Sequence, residues 1–95
     1  MEETPSVRYW LSEAARERGL AFCAPRQGDA GYDIRSLNSS VVPPGEQVRL
    51  ETGLHLAIPE GYVGIVKDRS SMAARKMTTS GGVIDSSYRG EVQIL

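Results

Sequence analysis

The sequence predicts a mainly β domain, arranged as a sandwich or barrel, with one helix near its N-terminus. Short apolar runs dominate the chain after Gly19, and the longest helical pattern lies before that residue. Turn signals separate the apolar runs at intervals of about eight to twelve residues, which is typical of all-β domains. A length of 95 residues is enough for one domain.

The first element is predicted as a helix over residues 6–18. Ser6 can accept backbone hydrogen bonds at its start, and Gly19 can end it in the left-handed conformation. We therefore divide the chain into an N-terminal helical extension, residues 1–20, and a β domain, residues 21–95. Apolar residues recur in the helical segment at spacings of three and four, which places them on one face: Val7, Trp10, Leu11, Ala14 and Ala15.

The strands of the β domain are predicted from alternation and from turn residues. Residues 47–58, QVRLETGLHLAI, alternate apolar and polar side chains as a half-buried strand does. Residues 62–68, YVGIVKD, are predicted to form another strand, in which Gly64 permits a bulge or a close backbone approach. Turn signals bound these runs: Pro43-Pro44-Gly45, Thr52-Gly53 and Pro59-Glu60-Gly61.

Charge and composition argue against several classes of protein. The 11 basic and 12 acidic residues give a net charge of −1, whereas a nucleic-acid binder shows a basic excess. No run of 18 apolar residues occurs, so we expect no membrane-spanning helix. The start of the chain, MEETPSVRYW, lacks the apolar core of a secretion signal. We therefore expect a cytoplasmic protein that binds neither nucleic-acid polymers nor membranes.

The single cysteine and the single histidine limit the ways in which so small a chain can be stabilised. Cys23 has no disulfide partner and is interpreted as a small packed apolar residue. His55 cannot build a metal site of the Cys/His kind alone. Since a domain of this size is marginally stable, we expect a partner subunit or a longer protein.

The first candidate site is GDAGYDIRS, residues 28–36. Its two glycines permit tight turns. One interpretation is a solvated turn that Asp29 caps and that leads into a strand. The other is that Asp33 holds a hard cation such as Mg²⁺, directly or through water.

The second candidate site is KDRSSMAARK, residues 67–76, which follows a predicted strand and has a short helical pattern. Arg69 can form paired hydrogen bonds with phosphate oxygens. Ser70 and Ser71 stand at the helix start, where free backbone N–H groups favour an anion. The alternative is that one of these serines only caps the helix.

The third candidate site is GGVIDSSYRG, residues 81–90, a predicted hairpin. Gly82 lets the backbone approach a ligand closely. Val83 and Ile84 should be packed, so that Asp85 would stand beside apolar surface, screened from bulk solvent, and could orient or deprotonate a water molecule. The alternative is an ordinary hairpin in which Asp85 and Ser86 make the turn.

The three stretches are more informative together than apart. They offer an acid for a metal ion, a cradle for a polyphosphate and an acid for a water molecule. Tyr88 adds a flat face on which a ring can lie. This combination is typical of Mg²⁺-assisted hydrolysis of a nucleoside triphosphate.

The motifs DAGYDIRS, DRSSMA and GGVIDSSYRGEV occur in the order and spacing of the first three motifs of the trimeric dUTP diphosphatases (dUTPases). The segment between them, VVPPGEQVRLETGLHLAIPEGYVGIV, is similar to the connecting frame of that family. Over residues 28–95 the chain therefore resembles a dUTPase. The resemblance implies an all-β fold of the dUTPase-like β-barrel or jelly-roll (β-clip) kind.

The resemblance also implies a role for each matching position. Asp33 would help to hold the Mg²⁺ bound to the triphosphate of dUTP, and the phosphates would contact Arg69, Ser70 and Ser71. Asp85 would activate the water that attacks the α-phosphorus, so that the products are dUMP and pyrophosphate.

The remaining implied contacts select the nucleoside. Tyr88 would stack on the deoxyribose and exclude a ribose 2′-hydroxyl. The backbone of Gly82, Val83 and Ile84 would read uracil by hydrogen bonds. The family resemblance further implies a homotrimer whose active sites are shared between subunits.

The chain departs from the family pattern in two respects. Ser71 stands where the second motif often has glycine, and the fourth and fifth motifs do not follow before Leu95. We therefore expect a truncated dUTPase with weak or no turnover on its own. Two alternatives stay open: a dCTP deaminase-like enzyme, and a non-catalytic module for nucleotide binding or assembly.

Overall fold

The computed structural model describes residues 6–22 and 25–95, and Cys23 lies outside the described residues. Two antiparallel sheets form the fold, one with the strand order β1-β2-β5 and the other pairing β3 with β4. No described helix has the length and apolar character needed to cross a membrane. The elements in chain order are β1 (Arg8–Leu11), α1 (Glu13–Glu17), β2 (Leu50–Ala57), β3 (Gly64–Ile65), α2 (Ser70–Ala74), β4 (Val83–Ile84) and β5 (Glu91–Ile94).

The predicted helix over residues 6–18 is wrong in its first half, because β1 occupies that part. This strand pairs with β2, from Arg8 opposite Ala57 to Leu11 opposite Leu54. The backbone pairing outweighs the helical spacing of the apolar side chains. The boundary predicted between residues 20 and 21 stays a prediction.

Helix α1 begins and ends with local hydrogen bonds. The hydroxyl of Ser12, not that of Ser6, accepts the N–H of Ala15 at 3.2 Å. Gly19 (φ 70°) follows the helix in the left-handed conformation, and the next N–H, of Leu20, donates to Ala15. This is the glycine-ended form of helix termination, so the predicted role of Gly19 is confirmed.

Strand β2 is the centre of the larger sheet, and together with the residue that follows it supplies most of the core cluster. Leu54, Leu56 and Ile58 are buried together with Val92 of β5. Each such side chain stabilises the fold by about 1.5–3 kcal/mol. The hydroxyl of Thr52 is buried and donates to the carbonyl of Val92, so β2 and β5 are joined by side-chain as well as backbone bonds.

The predicted turn at Thr52-Gly53 is wrong, because the strand continues through it with an irregular register towards β5. Gly53 adopts φ 67°, and its N–H donates to the carboxylate of Glu91 at 2.8 Å. Its carbonyl accepts the N–H of Ser12 at 2.7 Å. The glycine therefore makes a bulge at which β2, β5 and the start of α1 meet.

The other two turn predictions and the close approach at Gly64 are confirmed. Gly45 (φ 78°) and Gly61 (φ 89°) each occupy a turn closed by a backbone hydrogen bond. A Cβ atom on Gly64 would lie 3.2 Å from the Cβ of Ile84. The small sheet therefore packs tightly on its inner side.

Substitution of Gly53 by alanine should destabilise the protein by roughly 2–4 kcal/mol, through a strained φ and overpacking. The new Cβ atom would lie 2.6 Å from both the Cβ of Ala15 and the Oγ of Ser12. Gly61→Ala is the matched control, since Gly61 also has positive φ but has nothing within 4 Å of the Cβ position. Urea unfolding measures both. Equal losses in the two variants would show that the contact with α1 is unimportant.

Candidate functional site

The first candidate segment is anchored by stacked aromatic rings. Tyr32 stacks on Phe22 with ring centroids 4.7 Å apart, and Phe22 contacts Tyr9 of β1 at 5.2 Å. Ile34 packs against the core. Asp33 lies between these two anchored residues with its side chain exposed.

The turn before Asp33 explains part of the sequence pattern without a ligand. Gly28 has φ 93°, and the carboxylate of Asp29 accepts the N–H of Arg26 at 3.1 Å. Asp29 is thus used by the turn itself, as the solvated-turn interpretation states. Asp33 makes no contribution to this turn and stays a candidate.

A Mg²⁺ ion fits the donor chemistry of Asp33. Within residues 6–22 and 25–95, no three His, Cys, Asp or Glu side chains group together as a metal cage. Mg²⁺ is commonly held by one or two carboxylates together with substrate phosphates and water. A single exposed carboxylate therefore suits an ion that is shared with a polyphosphate.

The second candidate segment is a loop of ten residues, 69–78, which we call the cationic loop. It contains α2 and carries Arg69, Arg75 and Lys76 but no acidic residue. All three cationic side chains are exposed. The loop is therefore a concentrated positive charge that is open to solvent.

The two serines of the cationic loop do not cap α2. The residue at the cap position is Arg69, and its side chain makes no capping hydrogen bond. Ser70 and Ser71 begin the helix with their side chains exposed, so both hydroxyls are accessible to a ligand. The interpretation of these serines as simple caps is thus wrong.

The ends of the cationic loop are held together at its base. One carboxylate oxygen of Asp68 accepts both the N–H and the hydroxyl of Thr79, each at 2.8 Å. These bonds, the hydroxyl first and then the N–H, lower the pKa of Asp68 below its ordinary value. The N–H of Val66 donates to the carbonyl of Gly82 at 2.7 Å. We call these two contacts the neck of the loop.

The third candidate segment is not a hairpin between neighbouring strands. Strand β4 pairs with β3, and β5 pairs with β2, so residues 85–88 form a turn that leads from one sheet to the other. The N–H of Tyr88 donates to the carbonyl of Asp85 at 3.1 Å. Gly82 lets its backbone approach Val66, because a Cβ atom there would lie 2.6 Å from the carbonyl oxygen of Val66.

Asp85 is exposed in the single chain, which corrects the expectation that apolar surface screens it. Ile84 packs against the core as predicted. Val83 does not, since 64% of its side chain is exposed. Successive strand residues point to opposite faces, so only one of this apolar pair can face the core.

Two residues that the sequence reasoning missed hold the ring of Tyr88. The hydroxyl of Tyr88 donates to the carbonyl of Glu91 at 2.6 Å. A Cβ atom on Gly90 would lie 2.6 Å from the same hydroxyl, so glycine is the residue that leaves space for the ring. The glycine two positions after an exposed tyrosine was the available signal.

The structure brings the second and third candidate segments together through the neck and leaves the first apart. Ser86, Ser87 and Arg89 line an open cleft of about 570 Å³ with Arg8 and the turn at Pro59. Asp33 lines a different, small cavity beside β1 and β2. Within the single chain, Asp33 and the third segment therefore line separate cavities.

Comparisons with known proteins agree on one family. The profile of the dUTPase family matches residues 18–95. A deoxyuridine 5′-triphosphate nucleotidohydrolase of Cutibacterium acnes is 44% identical over 71 residues, which make up 72% of this chain and 47% of that protein. The corresponding protein of Mycobacterium marinum is 44% identical over 70 residues, or 70% of this chain and 46% of that protein. The chain spans about half the length of the curated relatives it matches.

Solved structures give the same result for the fold. The dUTPase of Staphylococcus bacteriophage 80alpha has a TM-score of 0.82 and 32% identity, over 96% of this chain and 57% of that one. A variant dUTPase from phage phi11 of S. aureus, described as coordinating a structural Mg(II) ion, has a TM-score of 0.81 and 33% identity, over 95% and 57%. The predicted all-β fold of the dUTPase kind, with a helix near the N-terminus, is confirmed.

The neck predicts a specific pH dependence of stability. Because the pKa of Asp68 is lowered in the folded chain, the charged form stabilises the fold above the unfolded pKa of about 3.9. This stabilisation is lost as the pH falls through the folded pKa. Urea unfolding of the wild type and Asp68→Asn should therefore differ at pH 6, and the difference should shrink as the pH falls through the folded pKa of Asp68. A difference in stability between the two proteins that does not change with pH would contradict the charged hydrogen bonds. In a protein that already carries Thr79→Val, which removes one of the two bonds, Asp68→Asn should have a smaller effect at pH 6.

Proposed function

Because the chain belongs to the dUTPase family, we propose that the protein hydrolyses dUTP to dUMP and pyrophosphate. The observation that carries this proposal is the closed cationic loop beside the third segment, on a fold shared with solved dUTPases. The curated relatives are named as dUTP nucleotidohydrolases, which favours this activity over that of a dCTP deaminase.

The cationic loop is the proposed binding surface for the phosphates. Arg69 supplies paired N–H donors that match phosphate oxygens, and Ser70 and Ser71 offer exposed hydroxyls. A helix as short as the five residues of α2 contributes little dipole. The side-chain charges and hydroxyls of the loop therefore account for most of the attraction.

Mg²⁺ is the proposed cofactor, with Asp33 as the protein carboxylate that would help to hold it. The ion would neutralise charge on the triphosphate. Asp33 is carried on an anchored but exposed segment, so it can meet phosphates that are bound to another part of the assembly.

Asp85 is the proposed general base. Its carboxylate would hydrogen-bond to a water molecule, orient it in line with the α-phosphorus and accept its proton. No covalent intermediate is needed, since positioning and charge neutralisation carry most of phosphoryl-transfer catalysis. The exposure of Asp85 in the single chain supports an assembly in which another surface covers it.

The nucleoside is proposed to bind along the third segment. Strand β4 has one edge paired with β3 and, among the described residues, no strand on its other edge. Backbone groups of Gly82, Val83 and Ile84 on that open edge could read the uracil. The ring of Tyr88, held by its hydroxyl, would lie against the deoxyribose and leave no room for a 2′-hydroxyl.

A homotrimer with shared active sites is the proposed assembly, in the cytoplasm, where an unpaired cysteine is common. Ile65 and Val83 are cross-strand partners on the outer face of the β3–β4 sheet. Their side chains are 67% and 64% exposed. A second copy that covers this face would bury apolar surface and screen the adjacent Asp85.

Asp85→Asn should reduce turnover by at least about 10²-fold, the typical size of a general-base contribution, and leave the affinity for an α,β-imido analogue of dUTP nearly unchanged. Pyrophosphate release measures the first quantity and calorimetry the second. Asp29→Asn is the matched control, because Asp29 serves only its own turn. Normal pyrophosphate release by the Asp85 variant would remove Asp85 from the proposed role.

UTP should bind far more weakly than dUTP, because the ring of Tyr88 occupies the space that a 2′-hydroxyl needs. Tyr88→Ala should narrow the ratio of the two dissociation constants. Tyr62→Ala, which removes another exposed tyrosine, should leave that ratio as it is. If the wild type bound UTP and dUTP equally, Tyr88 would not select the sugar.

A further inference from the structure

The neck of the cationic loop contains the carboxylate of Asp68, which by its position in the sequence could pair with the adjacent Arg69. Asp68 directly precedes Arg69, the residue proposed to bind phosphate. An aspartate beside a phosphate-binding arginine would ordinarily compete with the phosphate for its guanidinium. Here the same carboxylate oxygen accepts two hydrogen bonds from Thr79, at the opposite end of the loop. The carboxylate is thereby directed to the neck.

The conformation of the cationic loop, which the contact between Asp68 and Thr79 closes, carries two destabilising contributions. Three cations within ten residues repel one another. Lys76 adopts φ 61° and is the one described non-glycine residue with positive φ. A residue in this region costs about 1–2 kcal/mol. Such strain persists only where the surroundings enforce it.

The strained lysine has a defined place in the loop. Its N–H donates to the carbonyl of Ala73 at 2.9 Å, and the N–H of Met77 donates to Met72 at 3.0 Å. These are the two bonds of a helix end that usually has glycine, as α1 does at Gly19. Lysine at this position adds a charge to the loop at the expense of backbone strain. The same residue therefore contributes both to the strain of the loop and to its positive charge.

We propose that Asp68 is a positioning residue for the triphosphate of dUTP, acting through Thr79. By bonding Thr79 it fixes both ends of the cationic loop next to the Val66–Gly82 contact. By the same bonds it keeps its own charge away from Arg69, which then stays available for phosphate oxygens. This inference rests on the proposed function and concerns the binding of the phosphates only.

The role predicts a pattern that a general loss of stability would not produce. Asp68→Ala removes both bonds and should weaken binding of the α,β-imido dUTP analogue, with Mg²⁺, by roughly tenfold, which corresponds to about 1.4 kcal/mol. Binding of deoxyuridine, which has no phosphate, should be unchanged. Thr79→Val keeps the backbone N–H and should have an intermediate effect, whereas Thr79→Ser keeps both donors and should bind like the wild type.

Calorimetry on the assembled protein measures the dissociation constants of the analogue and of deoxyuridine. Hydrogen exchange of residues 69–78 is measured in the absence of ligand. Ser80→Ala is the matched control, since Ser80 is exposed, adjacent to Thr79 and outside the cationic loop. Faster exchange of the loop in Asp68→Ala and Thr79→Val, but not in Ser80→Ala, is expected together with the selective loss of analogue binding.

Three results would overturn the role of Asp68. The first is an Asp68→Ala protein that binds the analogue as the wild type does. The second is an equal loss of affinity for the analogue and for deoxyuridine, which indicates a structural effect alone. The third is a wild type that binds deoxyuridine but not the analogue, in which case the proposed hydrolysis fails as well.

Discussion

The hydrogen bond from the N–H of Val66 to the carbonyl of Gly82 is the contact on which the candidate site depends. It is 2.7 Å long. The two backbones can approach this closely because Gly82 lacks a Cβ atom, which would collide with the carbonyl oxygen of Val66. This contact extends the short pairing of β3 with β4. It joins the cationic loop to the third segment, and the bonds between Asp68 and Thr79 reinforce it.

The fold could be predicted where the determining signals are local. A proline one or two positions before a glycine specifies the turns at Gly45 and Gly61, because glycine adopts the positive φ that each turn requires. Alternation specifies β2. The N-terminal segment failed because its apolar spacing fits a helix, while the pairing that makes it a strand involves residues more than forty positions away, from Leu54 to Ala57.

The sequence predicts which residue types the candidate site contains and their order along the chain. It predicts the exposure and the contacts of these residues less well. Arg69 and its serines stand exposed on one loop, as the motif indicates. The exposure of Asp85 could not be read from its apolar neighbours, because strand alternation sends Val83 outward. The bonds of Asp68 with Thr79 and the space that Gly90 leaves for Tyr88 depend on contacts that motif reading does not consider.

We propose that the cationic loop and the third segment bind one nucleotide together with Asp33 in the assembled protein. The most direct measurement is a crystal structure of that assembly with an α,β-imido analogue of dUTP and Mg²⁺. We expect Arg69 to contact the terminal phosphates, Asp33 to lie next to the metal ion, and Asp85 to hold a water molecule in line with the α-phosphorus. A nucleotide bound away from the cationic loop, or an Asp85 directed away from every bound α-phosphate, would contradict the account.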